Sequence, residues 1–209
     1  MNQQLFEFDT LEKKLLELPP FHQVAFAASC CERMLPNYNA FSRMYSWGDP
    51  SVPRTALDEV WQILQGKPIN TSLVHQLKED CGREDVFPDS LDFDDYCFEA
   101  QEALIAIRST LATCLSSNSE IIISITKNAR NTIELFIPFQ DESFNISSEK
   151  DGSETFKSAI ASHPLAVREM AKEADDLQRL KEAKVLDKDF LEWLRNSFDN
   201  EGKSLIDLG

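Results

Sequence analysis

Glycine is scarce in this chain, at 6 of 209 residues, and neither G-x-G-x-x-G nor G-x-x-x-x-G-K-[ST] can be spelled from them. The usual glycine-loop dinucleotide and phosphate-loop sites are therefore excluded. Histidine is rarer still, at 3 residues. None of His22, His75 or His163 has a glutamate three positions before it, which removes the Glu-x-x-His ligand pairs of carboxylate-bridged di-iron bundles. H-E-x-x-H and G-x-S-x-G are absent as well. The 5 cysteines (Cys30, Cys31, Cys81, Cys97, Cys114) are odd in number and contain no C-x-x-C, so neither a disulfide framework nor a zinc knuckle is expected. No metal or cofactor is expected from this inventory, although a triad assembled in space is invisible to sequence. Basic residues are in deficit, 21 Lys and Arg against 36 Asp and Glu, for a net charge of −15. That surplus repels phosphate backbones, so no nucleic-acid partner is expected. There is no 18-residue apolar run, and residues 1–10 lack a basic region leading into an apolar one. Reduced thiols, no membrane insertion and a cytoplasmic location follow as expectations.

What is present is helical periodicity. At this length a chain buries about 70% of its unfolded surface, enough for one domain over 1–209, with 1–82 and 91–209 as conceivable subdomains. Asp9 and Glu12 form a capping-box-like start to Leu11, Leu15 and Leu18, stopped by Pro19-Pro20. From Phe21 to Leu35 apolar residues occupy nearly the whole circumference, the mark of a buried central helix. Pro36 suggests a break before a second helix that ends near Gly48. Pro53 opens a helix carrying Leu57, Val60, Trp61 and Leu64, and Asn70 or Thr71 caps the next one. Residues 83–90 read as a linker. Phe93, Tyr96, Ala100, Ala103, Ile107, Leu111 and Cys114 then keep spacings of three or four. The run Ile121 to Ile125 has strand composition, yet Ile122, Ile125, Ala129, Ile133 and Phe136 continue at helical spacing, so an antiparallel helical hairpin is predicted. Residues 141–153 read as a mobile polar loop. Pro164 and Asp187 begin two closing helices, the first with Val167, Met170, Ala174, Leu177 and Leu180 on one stripe. The expected fold is an all-α multihelical bundle with a central buried helix and antiparallel hairpins.

Three groups of residues carry potential chemistry. His75 and Glu79 share a helix face but are too few to hold a metal, and read as a surface pair. The acidic block from Glu84 to Glu102 contains no Lys or Arg, and it places Asp95, Glu99 and Glu102 on one face. It can be solvated charge favoured by a helix N-terminus, a surface for a basic partner, or a divalent-cation site. The third group lies in the apolar central helix, where Glu32 and Arg33 need partners if they are buried. Either Arg33 belongs to an internal ionic cluster anchored by Glu32, Asn37 and the acidic block, or it faces a cleft and receives a ligand's carboxylate or phosphate. Such a cleft would be lined by Glu32, Arg33, Asn37, Tyr38 and Trp61, with Trp61 read chiefly as core.

The run Cys31-Glu32-Arg33-Met34-Leu35-Pro36-Asn37-Tyr38 resembles the YjaG-like bacterial family, grouped as domain-of-unknown-function family 416, which reads Cys, Glu, Arg, Met, a variable residue, Pro, Asn, Tyr. Val24-Ala25-Phe26 belongs to the same match, and weaker agreement extends through Leu57 to Trp61, Phe93-Asp94, Ala100 to Ala103, and His163 to Leu205. The chain departs from the family pattern around Glu99, where a proline would open the helix. The resemblance implies an all-helical cytoplasmic bacterial protein and supplies no catalytic residue. Its family-level genome context implies an association with histidine kinases. Together these readings lead to a helical protein-interaction or regulatory module whose partner is a signalling protein. The rival expectation is a small-molecule-binding or enzymatic bundle around Arg33.

Overall fold

The computed structural model describes residues 8–116, 118–140 and 154–209. Among these the chain forms nine helices and no strand: α1 (Phe8–Leu16), α2 (Pro20–Tyr45), α3 (Ser51–Leu64), α4 (Thr71–Asp80), α5 (Cys97–Leu115), α6 (Ser119–Gln140), α7 (Glu154–Ser162), α8 (Pro164–Glu182) and α9 (Lys188–Asn196). The all-α reading holds. No described helix is long and apolar enough to cross a membrane.

Local chemistry sets most boundaries. Asn70 and Asp187 cap α4 and α9 by accepting the backbone N–H of Leu73 and Phe190 at 3.1 and 2.8 Å, which satisfies donors that a helix start leaves unpaired. Pro20 and Pro164 stand at first-turn positions, where their missing N–H costs nothing. The stretch Ile121 to Ile125 lies inside α6, and Ile122, Ile125, Ala129, Ile133 and Phe136 are all buried. Burial along one helical stripe outweighs the weak strand preference of β-branched residues.

Helix α2 is the axis of the bundle: every residue from His22 to Cys31 is buried, and α2 packs against α3, α5, α6, α8 and α9. The expected break at Pro36 does not occur, for α2 continues through it to Tyr45 over 26 residues. An internal proline costs about 3 kcal/mol through a lost donor and a ring clash. Here the cost is offset beyond the proline, where Tyr38 and Phe41 are both fully enclosed. The Arg33 carbonyl, three positions before the proline, accepts the Leu205 N–H at 2.9 Å.

Helix α5 starts at Cys97, four positions after Phe93, where the periodicity placed its beginning. Tyr96, just before it, has φ +58°, a left-handed conformation that cannot continue a helix backward. Phe93 is instead drawn into a ring cluster with Phe41, Tyr45 and Trp47 at centroid distances of 4.9 to 5.1 Å. The α5 and α6 hairpin is antiparallel, bringing Tyr96 to 6.3 Å from Phe136. Helix α7 was not foreseen from sequence. The expected mobile loop at 141–153 lies outside the described residues.

Candidate functional site

Spacings of four and three put Glu169, Glu173 and Asp176 on one face of α8, and that face turns inward. Residues Ala166, Glu169, Glu173, Asp176, Leu177 and Leu180 are the buried ones. The inward stripe is therefore rotated from the apolar one read in the sequence, since Val167, Met170 and Ala174 are only partly buried. Charge pairing sets this orientation. Across from α8, α2 presents Arg33 and, about one turn before it, Ser29 and Cys30.

Arg33 is 1% exposed, and all of its donors are engaged. Its Nε donates to both oxygens of Glu169 at 3.0 and 2.8 Å. Nη1 donates to Ser29 Oγ at 2.8 Å and Asp176 Oδ2 at 3.2 Å. Nη2 donates to Glu169 Oε1 at 2.6 Å and Cys30 Sγ at 3.4 Å. Burial opposes the charge of Arg33, but the carboxylates of Glu169 and Asp176 outweigh it and hold the guanidinium ionised. The ring of Phe198 lies 5.8 Å from the Arg33 guanidinium and 5.5 Å from that of Arg168.

Lys172 and Arg130 complete the set. Lys172 pairs with Asp176 on the same helix, and burial draws its pKa down. Arg130, from α6, reaches Glu173 Oε2 at 3.4 Å. Three cations thus meet three carboxylates. Glu173 is the least satisfied member: its Oε1 is buried with no hydrogen-bond partner. Burial first, and the neighbouring charge of Glu169 second, push its pKa up to about 7. Burial likewise holds Cys30 as the thiol, with its pKa well above the ordinary range. One sulfur ligand atom of Cys30 and one oxygen each of Glu169 and Glu173 lie within 4.8 Å of one another, a set that can hold a metal ion. Between α6 and α8 lies a crevice of about 10 Å³ lined by Arg130, Ile133, Glu134, Ala166, Glu169 and Met170. It has room for about one water molecule.

Of the residues anticipated as one cleft, Glu32 and Trp61 are joined by a hydrogen bond, while Arg33 and Tyr38 serve other places. Adjacent helix positions diverge by about 100°, so Glu32 turns away from Arg33 toward α3 and α9. Glu32 accepts from Arg54 Nη1 and Nη2 at 2.7 and 2.8 Å and from Trp61 Nε1 at 2.7 Å, and it pairs with Arg195 at 3.2 Å. Asp58 bridges the same two arginines. Trp61 is core, 1% exposed. Tyr38 serves a different place: its hydroxyl donates to the Val86 carbonyl at 2.8 Å and accepts the Asp49 N–H at 3.3 Å. Gly48 (φ +78°) lies so close that a Cβ there would meet that hydroxyl at 2.5 Å. Asn37 is fully buried, and neither amide atom reaches a protein partner. The anchors expected for Arg33 are thus corrected: Glu169, Asp176 and Ser29 hold it, not Glu32, Asn37 or the acidic block.

The acidic face also divides. Asp95 precedes α5 and is exposed, its N–H donating to Tyr45 Oη at 3.0 Å. Glu99 is buried and Glu102 half-buried, and burial raises both carboxyls, Glu102 to about 7. Helix α5 begins too late to carry Asp95 on their face. His75 and Glu79 are exposed on α4. Glu169, Glu173, Asp176 and Arg130 were missed from sequence. The available signal was the acid spacing at 169, 173 and 176, which matches the period of the buried stripe.

Comparison with known proteins points to one family. The chain is 25% identical over 195 residues to the uncharacterized protein YjaG of Escherichia coli K12, covering 92% of this chain and 93% of that one. It is 30% identical over 124 residues to YjaG of Salmonella typhimurium, covering 58% and 62% of the two chains. A crystal structure of a DUF416 family protein from Shewanella baltica OS155 superposes with a TM-score of 0.83 at 26% identity, covering 95% of this chain and 97% of that one. Residues 10–209 match the family model described as protein of unknown function (DUF416), and the chain belongs to that family.

Proposed function

We propose that this chain is a cytoplasmic helical interaction or regulatory module in bacterial signalling, and that its acidic exterior, not its ionic interior, meets the partner. The observation that carries this reading is the closure of Arg33. Every donor of the one cation embedded in α2 is bound to the protein's own oxygens and sulfur, so it has none to offer a ligand anion. The rival small-molecule or enzymatic reading needs Arg33 to face an opening, and 1% exposure speaks against that.

Outside, Glu84, Asp85, Asp89, Asp92, Asp94 and Asp95 are all exposed along one connecting segment. With a net charge of −15, the field there favours a basic protein surface, speeding encounter and rejecting acidic competitors. A histidine-kinase signalling component is the partner the family's genome context points to.

The test compares three tagged proteins in bacterial lysate by affinity capture and mass spectrometry: the unchanged chain, an Asp92→Lys/Asp94→Lys/Asp95→Lys variant, and a Glu192→Lys control on α9. The reading expects a signalling protein captured by the unchanged chain and the control but lost from the triple variant. Equal capture by all three, or a signalling-free set of captured proteins, would contradict it.

A further inference from the structure

Two carboxylates and a thiol sharply juxtaposed in a bundle interior call for a reason. Glu169 and Glu173 stand one turn apart on α8, and both side chains are 3% exposed or less. Placing like charges side by side in low dielectric is unfavourable unless something positive lies between them. Arg33 answers for Glu169, and Arg130 answers for one oxygen of Glu173. The other oxygen of Glu173 has no hydrogen-bond partner although it is fully enclosed, a state that is unfavourable for any polar group and more so for a charged one.

We propose that Cys30, Glu169 and Glu173 form a three-ligand site for a divalent ion of the zinc type. The donor set chooses the class of ion: a sulfur ligand excludes magnesium and calcium, whereas one sulfur with two carboxylates suits zinc and its cobalt surrogate. In a tetrahedral zinc site such donors lie about 3.5 Å apart. The three here are within 4.8 Å of one another, so the contraction needed is about an ångström and lies within the reach of glutamate side-chain rotation.

Charge balance permits the ion. The cluster holds three cations and three carboxylates. A divalent ion displaces the Cys30 proton, because a coordinating thiol is deprotonated outright. Two positive charges and one new negative charge leave a surplus of one, the same surplus created when Glu173 takes up a proton. Arg33 then donates to ligand atoms on both helices, Cys30 Sγ and Glu169 Oε1, the role of the outer-shell groups that orient metal ligands.

Chelator-treated full-length chain is titrated with Co2+ and then with Zn2+. The site requires one Co2+ per chain, with a sulfur-to-cobalt charge-transfer absorption in the near ultraviolet that Zn2+ abolishes. Cys30→Ser removes that absorption, whereas Cys31→Ser, whose sulfur bonds Thr110 Oγ1, keeps it. Glu173→Gln weakens Zn2+ binding more than about a hundredfold, and because it removes a like charge from beside Glu169 it keeps the test decisive if Cys30→Ser does not fold. Failure to bind Co2+, absorption that persists in Cys30→Ser, or unchanged Zn2+ affinity in Glu173→Gln overturns the proposal. None of these outcomes bears on the acidic docking surface.

Discussion

Arg33 and Glu169, 136 positions apart in the chain, are joined by three hydrogen bonds of 2.6 to 3.0 Å between fully buried side chains. This contact ties the central helix to α8 and gives the closing third of the chain a unique docking register. A buried ion pair adds little net stability over a hydrophobic substitute, but removing one partner strands the other charge. Register and orientation, more than raw stability, are what such a pair fixes.

Glu32 should be a second, more exposed keystone. It accepts hydrogen bonds from Arg54 and Trp61 and pairs with Arg195. Glu32→Gln keeps the shape but loses the charge and one acceptor oxygen. A loss of about 1 to 3 kcal/mol is expected, measured by urea unfolding.

The end of the chain should act as a strap over α2. Leu205 and Ile206 are buried, and the Leu205 N–H closes the Arg33 carbonyl at 2.9 Å. Leu205→Ala is expected to cost about 2 to 5 kcal/mol. Asp207→Asn, at a partly exposed pair with Arg168, is expected to cost under about 1 kcal/mol. Thermal unfolding of the two variants separates them.

Glu173 should make the metal-stripped protein less stable as pH rises. Its carboxyl is raised from 4.5 to about 7 by burial and by Glu169, among Arg33, Arg130, Lys172, Asp176 and Cys30. The folded state therefore holds the proton more tightly than the unfolded one. That contribution is full below the unfolded value and is lost as pH climbs through the folded one. Half-buried Glu102 acts in the same direction. In chelator, the urea midpoint should fall between about pH 5 and about pH 8, and Glu173→Gln should flatten part of that fall.

The fold was legible because burial repeats along the helices. Ile122 to Phe136 declared α6 through its stripe, and Asn70, Pro164 and Asp187 declared helix starts through their own hydrogen bonding or missing donors. The break anticipated at Pro36 was wrong because a single residue's preference competes with the burial of Tyr38 and Phe41, which lie beyond any local window. The site was legible only at one end. Arg33 announced itself as a charge in an apolar helix, while its acceptors Glu169 and Asp176 looked like ordinary solvated acids of α8. Their true position depends on how α8 rotates about its axis, and that rotation is decided by Arg33 itself, across a separation no local pattern spans.

The most direct measurement is the urea midpoint of Arg33→Ala beside that of Arg33→Lys. If Arg33 is the internal anchor of α8, Arg33→Ala leaves Glu169 uncompensated and Asp176 with Lys172 alone, and loses about 3 to 5 kcal/mol. Arg33→Lys regains only part, since an ammonium cannot span the two carboxylates, Ser29 and Cys30 as the planar fork does. An Arg33→Ala protein with an unchanged midpoint that has lost a captured ligand or partner would contradict the anchoring role and place Arg33 in a binding cleft instead.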